Sequence, residues 1–120
     1  MTRLKSEMLV SAAMRYAAAE LIDCVMLRRG DADAGTIFIH MDALDGRHKL
    51  LARSLDFDGV YSWRAITGDG ADGTGWVDAQ TAASRLDREL AMDPDAFVIA
   101  VADTRARNPC LLYTSPSPRD

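Results

Sequence analysis

The sequence predicts an α+β domain: an antiparallel-dominated sheet of about five strands with two helices, in the order α-β-β-β-β-α-β. Three observations lead there. Helical periodicity occurs twice, near the start and over 77–92, and each time β-rich apolar runs follow. Successive strand-like runs are separated by short turn signals, Asp45-Gly46 and Asp58-Gly59 among them. The 120 residues, 48% hydrophobic and 27% charged, suffice for one core but leave no room for a second domain. Short connections imply a meander carrying both helices on one face.

The first helix is expected from Ser6 to about Glu20. Ser6 can cap it, and Glu7 puts negative charge in the first turn, where the helix dipole favours it. Leu9, Ala13, Tyr16 and Ala17 line an apolar side, while Glu7, Ser11 and Arg15 form a polar stripe. Ile22 to Gly30 is β-rich and contains Cys24, read as a small buried hydrophobe. Thr36 to Met41 is almost continuously apolar and reads as a central strand covered on one or both faces. Between the two, "RGDADAG" is a polar turn with a glycine at each end.

Asp45-Gly46 then signals a two-residue hairpin loop of type I′, which would set His48 opposite Ala43. Lys49 to Leu55 returns as the third strand. In Val60 to Ile66, Tyr61, Trp63 and Ala65 alternate with Ser62 and Arg64, as in a half-buried strand. From about Val77 to Met92 a second helix sets Ala79, Ala82, Ala83, Leu86 and Leu90 on one face, with Arg85 and Glu89 paired outside. Asp93-Pro94-Asp95 ends it, and Ala96 to Asp103 forms the last strand.

Composition narrows the function. A net charge of −4 provides no general attraction for polyanions, so a nucleic-acid role would need a local basic patch. No apolar run reaches the ~20 residues that cross a bilayer. Glu7, Arg15 and Glu20 break up any signal-peptide centre. The expectation is a cytoplasmic protein without disulfides or membrane contact.

Motifs add little chemistry. Gly68-Asp69-Gly70-Ala71-Asp72-Gly73 spells a dinucleotide fingerprint, but a helix does not begin at its glycines and both aspartates would repel phosphate. Asp31-x-Asp33-x-Gly35 lacks the remaining ligands of a calcium loop and reads as a solvated turn. His40 and His48 are treated as ordinary strand histidines, since no zinc-type spacing joins them to Cys24. No nucleophile elbow is present. Neither catalytic, cofactor-binding nor metal-binding residues are assigned, and no cofactor is expected. The surface favoured for binding comprises Arg3, Lys5, Arg28, Arg29, Asp31 and Asp33, because exposed loop residues carry function more often than core ones.

"TRLKSE" at the start, "RRGDADAG" at Arg28 to Gly35, Trp63 in the fourth strand and "DPDAF" at Asp93 to Phe97 resemble one known group. It is the small alphaproteobacterial family catalogued as domain of unknown function 1491, and the similarity spans residues 2 to 105. Val10 stands where a bulkier residue is expected, and the Gly68 to Gly75 loop is longer than usual. The resemblance implies a stand-alone bacterial protein without assigned activity, cofactor or site residues. Residues 110 to 120, "CLLYTSPSPRD", resemble a transposon-end sequencing adapter translated in frame. This tail is expected to be non-native, disordered and packed against nothing, leaving residues 1 to 109 as one globular domain truncated at its C-terminus. The chain then reads as a metagenomic fragment.

The functional reading is a non-enzymatic binding or accessory module with a protein partner. The alternatives are a small hydrolase or nucleotide-handling enzyme using the Gly68 to Gly75 loop, and a weak nucleic-acid binder acting through the Arg/Lys patch.

Overall fold

A computed structural model describes residues 5–33, 35–55, 58, 61–68 and 74–110, without the side chains of 54, 55 and 61. Arg3, the interior of the glycine-rich loop (69–73), the Tyr61 side chain and residues 111–120 therefore lie outside the described residues. The elements are α1 (Ser6–Ala19), β1 (Asp23–Arg28), β2 (Ile37–Asp42), β3 (His48–Leu55), β4 (Tyr61–Ala65), α2 (Ala79–Met92) and β5 (Phe97–Ala102). The strands form one sheet in the order β1-β5-β2-β3-β4. It is mostly antiparallel but mixed, because β5 runs parallel to β2.

The expected meander is thus broken at its first turn. β5 inserts between β1 and β2, so "RGDADAG" does not close a hairpin but bridges across an intervening strand. The helices also lie on opposite faces, not on one. Leu9, Val10, Ala13 and Ala17 of α1 pack with Ile37, Ile39 and Met41 of β2 and with Phe97, Ile99 and Val101 of β5. Phe38, Leu50 and Ala52 point the other way and meet Leu86 and Leu90 of α2. Alternate residues of β2 therefore enter two different cores. That is why its sequence shows no apolar/polar alternation.

Local chemistry differs from expectation at several places. Ser6 opens α1 but makes no capping bond; its buried hydroxyl donates to the carbonyl of Gly35 at 2.7 Å. The amides of Ser6 and Glu7 are instead satisfied by the carbonyls of Asp33 and Ala32, so the 31–35 turn caps α1. On α2, Ala82 alone is buried, while Ala79 and Ala83 face solvent. Arg85 does pair with Glu89 at 2.7 Å, but it also donates to the carbonyl of Ile66 at 2.5 Å, tying α2 to the end of β4. Cys24 is half-buried against the α1 core rather than fully enclosed.

The C-terminal segment brings a further correction. Cys110 was expected to contact nothing, yet it is fully buried in the core with Ala13, Ile37 and Val101. The segment that carries it there is clamped by Asp103. This carboxylate accepts from the Arg107 amide at 2.8 Å and from Arg107 Nε at 2.9 Å. The guanidinium holds Asp103 at about 2, well below the usual carboxylate range.

Candidate functional site on the open half of the sheet

Among the described residues α2 packs on the β3 side of its face and leaves the half over β1, β5 and the end of β2 open. A cavity of about 210 Å³ sits there. Its floor is Ala100 and Ala102 of β5 and Val25 of β1; its polar wall is Asp23, Asp42, His40 and His48. Val25 is 50% exposed and Leu27, further along β1, is 58% exposed.

Register explains how the two histidines arrive together. The β2–β3 loop is not the two-residue turn expected at Asp45-Gly46. Asp42, not Ala43, stands opposite His48, and His40 stands opposite Leu50. Positive φ occurs at Leu44 and Gly46, and the Ala43 amide donates to the Arg47 carbonyl, giving a longer loop. Two aspartates stabilise it locally. Asp42 Oδ1 accepts from the Leu44 amide at 2.8 Å, and Asp45 Oδ1 accepts from the Arg47 amide at 3.2 Å. That one-residue change puts His40 and His48 on the same face as diagonal neighbours, close enough for side chains to touch.

They do touch. His40 Nε2 and His48 Nδ1 lie 3.2 Å apart, with ring centroids separated by 5.3 Å. One nitrogen donates and the other accepts, so the pair shares a proton when both rings are neutral. His48 Nε2 is 3.9 Å from Asp42 Oδ1, beyond hydrogen-bond range but near enough for electrostatic orientation. Burial lowers the proton affinity of His40, and His48 lowers it further; Asp42 pulls weakly the other way. Chemically, the wall offers two imidazoles and two carboxylates over a small apolar floor. Its lining residues include no hydroxyl, thiol or amine nucleophile.

The surface favoured from sequence lies elsewhere, at the α1 N-terminus and the 28–35 turn. There the described charges are largely engaged. Arg29 pairs with Glu7 at 2.6 Å, Lys5 with Asp33 at 3.4 Å, and Arg28 donates to the Pro94 carbonyl at 2.7 Å. The Asp31 amide donates to the Asp95 carbonyl and its own carbonyl accepts from Gly35, so the turn is built around backbone contacts. Lys5, Arg28, Arg29, Asp31 and Asp33 thus gather at one end, where Arg28 contacts the 93–96 turn. The histidine pair was missed because the loop length was misjudged. Its signal was the pair of aspartates at 42 and 45, each able to bond the backbone two residues on.

The glycine-rich loop is pinched at its ends. Thr67 Oγ1 donates to the Gly75 carbonyl at 2.8 Å, and α2 begins under its own cap, Asp78, which accepts from the Thr81 amide at 2.7 Å. Among the described residues no helix is long and apolar enough to cross a membrane.

Solved structures of similar fold include the following three. An NMR structure from Caulobacter crescentus CB15 shares 22% identity at a TM-score of 0.75, covering 91% of this chain and 94% of that one. A crystal structure from the same organism shares 23% at 0.72, covering 88% and 92%. A solution structure from A. tumefaciens shares 25% at 0.73, covering 99% and 100%. The two Caulobacter structures are described as DUF1491 family proteins. No curated protein matches. The family model "Protein of unknown function (DUF1491)" matches residues 4–111, a span that includes the charged turn, the histidine pair and Cys110. On that match the chain belongs to the DUF1491 family, whose structural neighbours here come from alphaproteobacteria.

Proposed function

We propose that the chain is a small non-enzymatic binding module whose ligand sits in the cavity on the open half of the sheet. One observation carries the reading: polar groups able to hold a ligand, His40, His48, Asp23 and Asp42, converge over an apolar floor that no helix among the described residues covers. A concave site with an apolar base and a few convergent polar groups is the usual form of a small-ligand site. The lining residues carry no hydroxyl, thiol or amine nucleophile, which supports holding a ligand over serine-, cysteine- or lysine-type covalent catalysis. A cytoplasmic location belongs to the same proposal.

The enzyme alternative places the chemistry in the Gly68 to Gly75 loop. A thermal-shift panel of nucleotides, amines and small acids, followed by amide chemical-shift mapping, separates the two. Saturable stabilisation with shifts centred on Val25, His40 and Ala100 supports the binding module. Stabilisation by a nucleotide that disappears on replacing Gly68 and Gly75, with no shifts at the cavity, refutes it.

A further inference from the structure

We propose that the His40–His48 pair is a two-imidazole site for a divalent transition-metal ion, with Zn²⁺ as its representative. The inference rests on the cavity being the working surface and names the ligand class it takes. Ligands about 2.0–2.1 Å from a tetrahedral zinc ion stand about 3.3 Å from each other. His40 Nε2 and His48 Nδ1 are already 3.2 Å apart, on strands whose register fixes both backbones. A small rotation about each ring's soft terminal torsion turns the two lone pairs from one another toward a shared point.

Protonation and charge favour the same outcome. A metal requires both facing nitrogens bare, which places the remaining protons on His40 Nδ1 and His48 Nε2. The Asp42 carboxylate lies on the Nε2 side of His48, so it favours the tautomer that leaves Nδ1 open toward His40. Asp23 and Asp42 supply negative charge at the cavity wall without having to coordinate. Among the described residues no three histidine, cysteine, aspartate or glutamate side chains converge on one point. The protein therefore supplies two donors, and the cavity leaves room for solvent or for a donor carried by a second ligand. Imidazole selects this class over Mg²⁺ and Ca²⁺, which take oxygen ligands.

The test titrates the intact chain with ZnCl₂ by calorimetry at neutral pH, with MgCl₂ as control, in wild type, His40→Gln, His48→Gln and Cys24→Ser. Long-range ¹H–¹⁵N spectra of the histidine rings accompany it. The expected result is saturable binding of one Zn²⁺, weakened at least tenfold in either histidine variant and unchanged in Cys24→Ser, with Mg²⁺ silent. In wild type, zinc should move the resonances of His40 Nε2 and His48 Nδ1, a readout that stands even where a variant fails to fold. Equal zinc affinity in wild type and both histidine variants, binding lost in Cys24→Ser, or unmoved ring nitrogens would overturn the proposal. If zinc fails while an organic ligand still shifts Val25 and Ala100, the metal site falls and the binding module stands. If the cavity responds to neither, both fall.

Discussion

Replacing Gly35 by alanine tests the reading of the charged turn as a structural joint. Gly35 is buried where the 31–35 turn crosses the chain leading into β5. A Cβ added there would lie 2.6 Å from the Asp95 carbonyl oxygen and 2.8 Å from that of Asp31. Both neighbours are backbone, and the first contact is about 0.8 Å inside the 3.4 Å at which ordinary contact begins. Relief therefore requires opening the turn at Asp31 and moving it away from Asp95. That strains the Asp31 amide bond to the Asp95 carbonyl at 2.8 Å and the Phe97 amide bond to the Thr36 carbonyl at 2.7 Å. It also disturbs the buried bond from Ser6 Oγ to Gly35. Overpacking at such a site costs about 1–3 kcal/mol, and one weakened buried hydrogen bond adds about 1 kcal/mol. The total expected is about 3 kcal/mol, which lowers the melting temperature by roughly 10 °C in a chain this long. Gly46→Ala is the control: its φ of +92° strains an alanine, but nothing lies within 4 Å of the new Cβ, so about 1 kcal/mol is expected. Urea unfolding monitored by tryptophan fluorescence gives both values. If Gly35→Ala costs no more than Gly46→Ala, the turn is not wedged against β5 and the structural reading of "RRGDADAG" fails.

Other outcomes follow from the same geometry. Asp103, held at about 2 against an ordinary 3.8, contributes stability that is fully present above the ordinary value and lost as pH falls through about 2. Its worth is about 2 kcal/mol before solvent screening and on the order of 1 kcal/mol after it, so Asp103→Asn should flatten the acid limb of a stability–pH curve by that amount. His40 has the opposite proton chemistry but the same sign. Its proton affinity is lowered in the fold, so stability present above the ordinary histidine value declines as pH falls below it. His40→Gln should remove that decline, and a wild-type curve flat between about pH 5.5 and 7.5, about one unit either side of the ordinary histidine value, would contradict the half-buried pair. Leu50, fully buried under α2, should cost about 2–5 kcal/mol as alanine. A loss under 1 kcal/mol would mean that α2 does not seal the second core.

What the sequence made legible was local. Both helices and all five strands stand within a residue or two of the expected spans, because each has its own periodicity or turn chemistry. Pairing was not legible from the turns. "RGDADAG" resembles a hairpin connection, yet β5 enters from the far end of the chain to lie between β1 and β2. A clue to this was present. "TIFIHM" is almost continuously and "FVIAVA" wholly apolar, which marks strands covered on both faces, and these two form the parallel pair at the sheet centre. Once β2 must be covered on both sides, the helices cannot share one face. The candidate site depended on a single residue of loop length, which local propensity does not fix: type I′ at Asp45-Gly46 would have sent His48 to the wrong partner. The charged residues at 28–33 were legible as exposed loop chemistry but not as an interlock, since their partners Glu7, Pro94 and Asp95 are distant in sequence.

Cys110, the first residue of the proposed adapter-derived tail, packs as part of the domain core. Its thiol is fully buried, and burial, together with the nearby Cys24, pushes it up to about 12; burial likewise raises Cys24 to about 11. Neither thiol should be alkylated at pH 8 in the folded protein, whereas both should react quickly in urea, because the thiolate is the nucleophile. Cys110→Ala removes a sulfur from a closed core and should cost about 1 kcal/mol, whereas deletion of residues 111–120 should leave the unfolding midpoint unchanged. A tail deletion as costly as Cys110→Ala would place native packing beyond 110 and refute an adapter junction there. If Cys110→Ala proves neutral and its thiol reacts in the folded state, its burial in the α1 core fails instead. A buried residue at the head of the proposed non-native segment is physically consistent. The Asp103–Arg107 clamp delivers position 110 to the core, and any small apolar side chain arriving there would be enclosed.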